Sequence, residues 1–191
     1  MVTPITKPPK LPPLGPQTKL LSFDLETNGL HGDAFAIGAV VVDAQGNIVD
    51  KFVARCPIEQ AIDPWVTANV LPVIADIPVT HDDQKALRHD FWEWYLKAEL
   101  ASDYVLVSNG YPVEYRFLLR CQEDDLETRY WQHPFPILDL TSILLATGHD
   151  PSAKSRLIAQ VIRQGKFARH HPVDDATVAA LAAFKALGLS S

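Results

Sequence analysis

Asp24 and Glu26 stand two residues apart in Leu20-Leu21-Ser22-Phe23-Asp24-Leu25-Glu26-Thr27-Asn28-Gly29-Leu30. The run up to Leu25 reads as a buried strand, and a period of two puts both acids on one face. Two carboxylates on one face of a buried strand repel each other and are costly to desolvate. A divalent cation removes that conflict, and hard oxygen donors suit Mg²⁺ or Mn²⁺. The residues alone leave a second reading open, in which the strand frays and both acids face water before the Asn28-Gly29 turn. A second acidic segment, His170-His171-Pro172-Val173-Asp174-Asp175-Ala176, opens a helix. Pro172 suits a helix entry, and Asp174 or Asp175 suits a cap or first-turn acid. The alternative is that Asp175 turns to the sheet edge as a metal ligand, with His170 or His171 as a general base near neutral pH. Spacing alone does not choose between the two histidines. In a third segment, Val105 to Leu118, a strand ends and Glu114 opens a helix. A first-turn Glu is favoured by the helix dipole whatever its function.

These acids sit at strand ends and helix starts, which converge at one edge of an α/β sheet. The elements that must position them follow from the pattern. Ala34 to Asp43 and Asn47 to Arg55 read as strands joined by the Ala44-Gln45-Gly46-Asn47 turn. Prolines at 57, 64, 72 and 78 break residues 57–80 into short pieces. An amphipathic helix is expected over Asp82 to Leu100, with Leu87, Phe91, Trp94, Tyr95 and Ala98 on one face. Tyr104 to Val107 reads as a strand and Val113 to Gln122 as a helix. A brief strand at Ile137-Leu138 precedes helices at Leu140 to Ala146, Ala153 to Arg163 and Asp174 to Leu187. The expected fold class is α/β, a mixed sheet that starts with three antiparallel strands, continues with short parallel ones and carries helices packed on it.

Four carboxylates and a histidine at one edge are what two-metal phosphodiester hydrolysis requires. The sequence resembles the DEDDh group of 3′–5′ exonucleases, the superfamily of the proofreading subunit of bacterial DNA polymerase III and of RNase T. Phe23 to Leu30 matches its first motif, F-D-x-E-T-x-G-L, and Ala36-Ile37-Gly38-Ala39-Val40 matches the I-G-A-V strand that follows. His170 to Ala176 matches the H-x-A-L-x-D-A motif at its His, Asp and Ala, which selects His170 over His171. The resemblance covers roughly residues 19 to 187. It implies an RNase H-like fold, a single exonuclease-like domain over 19–191 and two Mg²⁺ or Mn²⁺ ions. It implies Asp24, Glu26, Asp175 and Glu114 as metal ligands and His170 as base. It implies Thr27, Asn28, Leu30 and Asn109 as the residues against the 3′ end of single-stranded DNA or RNA. The second motif, N-x-x-F-D-x-x-F-L, departs: Glu114 stands where the family has Asp, Val113 replaces the aromatic, and Asn109 lies five residues upstream instead of four. The extra methylene would hold the second ion differently or through water. The expected activity is release of nucleoside monophosphates from single-stranded 3′ ends. The alternative is a weakened fold serving as a nucleic-acid or protein binding module. A two-metal endonuclease or phosphatase is a third class.

Composition sets the remaining bounds. The 191 residues are 47% hydrophobic and 21% charged, enough for one core of ordinary size. The net charge of −6 argues against a broad electrostatic wrap around duplex DNA. Residues 1–18 hold six of the 15 prolines and read as a flexible tail of polyproline II character, a contact for a partner if it has one. No apolar run approaches the roughly 20 residues that span a bilayer, and no secretion signal opens the chain. Cys56 and Cys121 form no pair motif, so a reducing cytoplasm is the expected compartment. The resemblance makes a homodimer conceivable, because dimers are frequent in the family. His31, His81, His89, His133 and His149 are expected in surface or core roles. Trp65, Trp92, Trp94 and Trp131 are expected in core or interface, not as platforms for bases.

Overall fold

A computed structural model describes residues 13–108, 112–151 and 167–189. Strand β1 (Lys19–Thr27) runs down the centre of a five-stranded sheet of order β3-β2-β1-β4-β5. β2 (Ala34–Asp43) pairs antiparallel with β1, and β3 (Ile48–Arg55) antiparallel with β2. β4 (Tyr104–Val107) and β5 (Ile137–Asp139) add in parallel on the other side. This is the mixed sheet that the alternation of strand and helix patterns predicts.

Helices cover both faces. α1 (Pro64–Asn69), α2 (Gln84–Leu100), α3 (Val113–Glu123), α4 (Leu126–Arg129), α5 (Leu140–Ala146) and α6 (Pro172–Ala186) follow in chain order. α1 lies inside the proline-broken stretch and α4 was not expected. Both are short, and each starts on an Asp whose carboxylate accepts an N–H of the first turn. The helix expected over Ala153 to Arg163 lies outside the described residues. On α2 the wholly buried indole is Trp92. Trp94 is only partly buried, because its N–H reaches out to Asp50 at 3.2 Å.

The central strand divides its side chains by parity. Leu21, Phe23 and Leu25 enter the core beneath α2 and α3. Leu20 enters the second core, beneath α5 and α6. Ser22, Asp24 and Glu26 share that second face by the period of two. Asp24 pairs with Gly38 on β2, and Glu26 with Ala36. Gly38 is where α6 arrives. A Cβ built there would lie 2.2 Å from the Val173 nitrogen and 2.3 Å from the Pro172 carbonyl carbon. Only a residue without a side chain lets the start of α6 sit on the sheet at this point.

Candidate active site

The site is built from the end of β1 and the start of α6. Glu26 is buried, with 7% of its surface accessible. Immediately after it the chain turns: Gly29 takes φ +76°, the Gly29 N–H reaches the Thr27 carbonyl at 2.9 Å, and the Thr27 hydroxyl donates to the Gly29 carbonyl at 2.8 Å. Left-handed backbone of this kind is cheap only for glycine. On the other side, α6 opens with Asp174 and Asp175 in its first turn. Each carboxylate takes a backbone N–H from the loop before the helix: Ala168 to Asp174 at 2.8 Å, and His170 to Asp175 at 2.8 Å. Both acids stand in the first turn, as expected, but neither caps the helix, whose N-cap is His171 with no side-chain cap bond.

Asp175 also meets Glu26. A carboxylate oxygen of Asp175, one of Glu26 and a ring nitrogen of His170 all lie within 4.8 Å of one another. Among the described residues this is the group whose donors could share one cation. Burial, and then the charge of Asp175, push the Glu26 carboxyl up to about 8. A proton is what such a pair retains when no cation neutralises it. The two carboxylates of this group fit a hard divalent ion, and the imidazole stands beside them within reach of a molecule bound to it.

His170 is held in an unusual backbone state, φ +67°, the one non-glycine with positive φ among the described residues. The N–H bond to Asp175 helps to retain it there. Its ring meets the Trp65 indole edge to face, centroids 5.2 Å apart and planes at 88°. His171 turns elsewhere, with Nε2 3.6 Å from Asp76.

The remaining expected site residues are placed as follows. Asp24 is half-buried on the Glu26 face of β1. Glu114 is buried, 4% accessible, in the first turn of α3. Both lie outside the tight group of Glu26, His170 and Asp175. The Arg116 guanidinium donates to the Gly32 carbonyl, so α3 is tied to the turn after Glu26. Leu30 is exposed, at 60%. Asn28 uses its side chain on the protein: its amide N–H donates to the Ala61 carbonyl at 2.9 Å, and its carbonyl oxygen accepts from the Asp63 N–H at 2.8 Å. Asn109 lies outside the described residues. Of the tryptophans expected in core or interface, Trp92 is wholly buried and Trp131 is 75% exposed, while Trp65, 54% exposed, stands beside His170. The signal for its helix was Asp63-Pro64, a cap followed by a first-turn proline.

No protein-family model matches the sequence. No characterised protein matches it either. Solved structures do match in shape. Exonuclease I of E. coli in complex with a dA16 oligonucleotide is 14% identical, over 92% of this chain and 41% of that one, with a TM-score of 0.58. Exonuclease I from Methylocaldum szegediense is 14% identical, over 87% of this chain and 40% of that one, with a TM-score of 0.55. The zinc ion bound form of the E. coli exonuclease I–ssDNA complex is 16% identical, over 91% and 40%, with a TM-score of 0.53. The chain spans about two fifths of the length of these structures. Over 92% of its length the chain has the mixed α/β fold of exonuclease I.

Proposed function

We propose that this protein is a metal-dependent 3′–5′ exonuclease acting on single-stranded DNA or RNA ends. The observation that carries the reading is the meeting of Glu26, Asp175 and His170 at the edge of an exonuclease I fold. Asp24, Glu26 and Asp175 would hold one ion, with Asp24 reaching a second supported by Glu114. Mg²⁺ or Mn²⁺ bound there supplies charge neutralisation at the scissile phosphate and acidifies the attacking water. His170 takes the proton from that water as it attacks phosphorus, and the 3′-oxygen of the preceding nucleotide leaves. Asp175 fixes the His170 backbone through the 2.8 Å bond, so acid and base move as one unit. Thr27, Asn28, Leu30 and Asn109 face the 3′ end in this reading. For Asn28 the role is indirect, through the loop that it fastens. Both cysteines are buried free thiols, compatible with the reducing cytoplasm as the place of action. Among the described residues no helix is long and apolar enough to cross a membrane.

A second reading has its own observation. Glu114 stands in a buried position where the resemblance expects a shorter acid. A chain that cannot seat its second ion would bind strand ends without cutting them. The test uses 5′-labelled single-stranded DNA and RNA with Mg²⁺, Mn²⁺ or chelator, beside Asp24→Ala. Ladders that shorten from the 3′ end, need metal and vanish in Asp24→Ala are expected. Products that persist in chelator or in Asp24→Ala overturn the assignment. Activity that appears only in Glu114→Asp favours the binding module.

A further inference from the structure

The stretch from α4 to β5 turns its side chains the wrong way round for an ordinary surface. Arg129 is 4% accessible, while Leu126, Tyr130, Trp131 and Phe135 are 52%, 55%, 75% and 74% exposed. Arginine is among the residues least often buried, and large rings gain most from burial. The inward groups pin the segment. The Arg129 guanidinium donates to the Cys121 carbonyl at 2.7 Å and lies 5.6 Å from the centroid of the Trp92 ring. The Gln132 side chain accepts the Trp92 indole N–H at 3.3 Å. The rings left outside thus stand on a pinned backbone, with Tyr130 and Trp131 4.8 Å apart at 80°. Exposed Asp125 and Glu127 flank them. An apolar shelf with an acidic border fits an apolar, basic occupant.

The chain carries such a segment itself. Lys7-Pro8-Pro9-Lys10-Leu11-Pro12 sets two lysines among prolines, and no acid precedes Asp24. The Pro9-x-x-Pro12 spacing is that of polyproline II ligands, which dock on clustered aromatic rings. A segment of this kind makes no internal hydrogen bonds, so its carbonyls can accept an indole N–H or a phenol O–H. The shelf is within reach. β1, β4 and β5 are parallel, so Lys19, Tyr104 and Ile137 begin at one end of the sheet, and residues 130–135 lead into that end. Pro13 is the first described residue, and the Pro16 carbonyl accepts from the Gln45 side chain at 3.2 Å, beside the turn that ends β2. β2 stands three strands from β5, about 15 Å at ordinary strand spacing. Twelve residues in polyproline II form extend over roughly 37 Å. We infer that Lys7 to Pro12 of this chain dock on the shelf of Tyr130, Trp131 and Phe135, with the two lysines against Asp125 and Glu127. The inference stands apart from the proposed nuclease activity.

Trypsin reads this contact on the full chain. It cuts the Lys10–Leu11 bond and spares Lys7–Pro8, where proline follows the lysine. A tethered segment meets its shelf at an effective concentration of about 1 mM, so an intrinsic dissociation constant of about 0.1 mM keeps it docked for roughly nine-tenths of the time. Cleavage after Lys10, followed by mass spectrometry, is then expected to run roughly tenfold faster in Trp131→Ala than in wild type. Trp131→Phe should restore most of the protection. Glu127→Gln should lose about twofold at low salt and nothing at high salt. Cleavage after Lys97, inside α2, reports global opening and should not change. Should it rise in Trp131→Ala, Phe135→Ala takes over the test with the same expected result. Equal cleavage after Lys10 in wild type and in the ring variant overturns the inference. So does protection that grows with protein concentration, which would put the segment on a second copy of the chain.

Discussion

The two faces of the sheet are packed by opposite means. Beneath α2 and α3, large rings fill the space: Phe91 lies 5.5 Å from Phe23 and 5.1 Å from Phe117, with Trp92 and Tyr95 behind. Beneath α6 the filling is mostly alanine, at 176, 179, 180, 182 and 183, joined by Val178 and Phe184 and set over Leu20, Val40 and Val42. The first face gains stability from volume and dispersion contacts. The second gains nearness: small side chains and Gly38 let α6 sit low on the sheet. There its first turn brings Asp175 to Glu26. The catalytic candidates lie on the face that gives up volume for approach.

The sharpest way to break this contrast is Gly38→Val. Its side chain would overlap the α6 backbone, so α6 must rise from the sheet and carry Asp175 away. Metal-dependent cleavage should disappear, together with any rise in Tm on adding Mn²⁺. A preserved Mn²⁺ shift in calorimetry would show that α6 does not set the site. On the other face, Phe91→Ala should cost about 3–5 kcal/mol in urea unfolding. Well below its lowered Tm, the protein should still respond to Mn²⁺, because no site residue rests on Phe91 alone.

A pH series probes the nearness itself. The Glu26 carboxyl, pushed up to about 8, keeps its proton in the folded metal-free chain and loses it in the unfolded one. Between its ordinary value and about 8 the folded state binds more protons, so stability falls as pH rises through that window. The stabilisation is complete only below the ordinary carboxylate range. A divalent ion replaces the proton, so the Tm gain from Mn²⁺ should grow from about pH 6 to about pH 8.5. Glu26→Gln should flatten both slopes, and an unchanged slope would mean that another group titrates there. The smallest effect is expected from Asp174→Ala, which removes the bond from Ala168. A loss of about 1 kcal/mol in urea unfolding is expected. A much larger one would give the loop before α6 a structural weight that one hydrogen bond does not explain.

The long elements were legible because their patterns repeat. β2 runs over Ala34–Asp43 and α5 over Leu140–Ala146, as their apolar runs and turn residues predict. The paired acids of β1 were legible for the same reason, since strand parity is a property of the chain. What escaped was decided by tertiary contact. α1 and α4 are too short to show a period, and their caps carry the signal. Trp92 and Trp94 both follow a helical spacing, and only the neighbourhood of Asp50 draws the second one outward. The place of Trp65 beside His170 joins residues far apart in the chain, through a side-chain bridge at Asn28 that no local pattern announces.

The parity of β1 also bears on how this chain can change its length. One residue added or removed between Leu20 and Glu26 would exchange its two faces. Phe23 would leave the aromatic core, and the carboxylates would point into it. Loops can grow or shrink by single residues, whereas this strand can accept a length change only in steps of two or with a compensating bulge. The β1–β2 ladder already has a register shift, and it falls between Glu26 and Thr27, just past the last acid. Single-residue insertions and deletions between Leu20 and Glu26 should therefore be lethal to the site, a limit that a scanning library of single-codon insertions would draw directly.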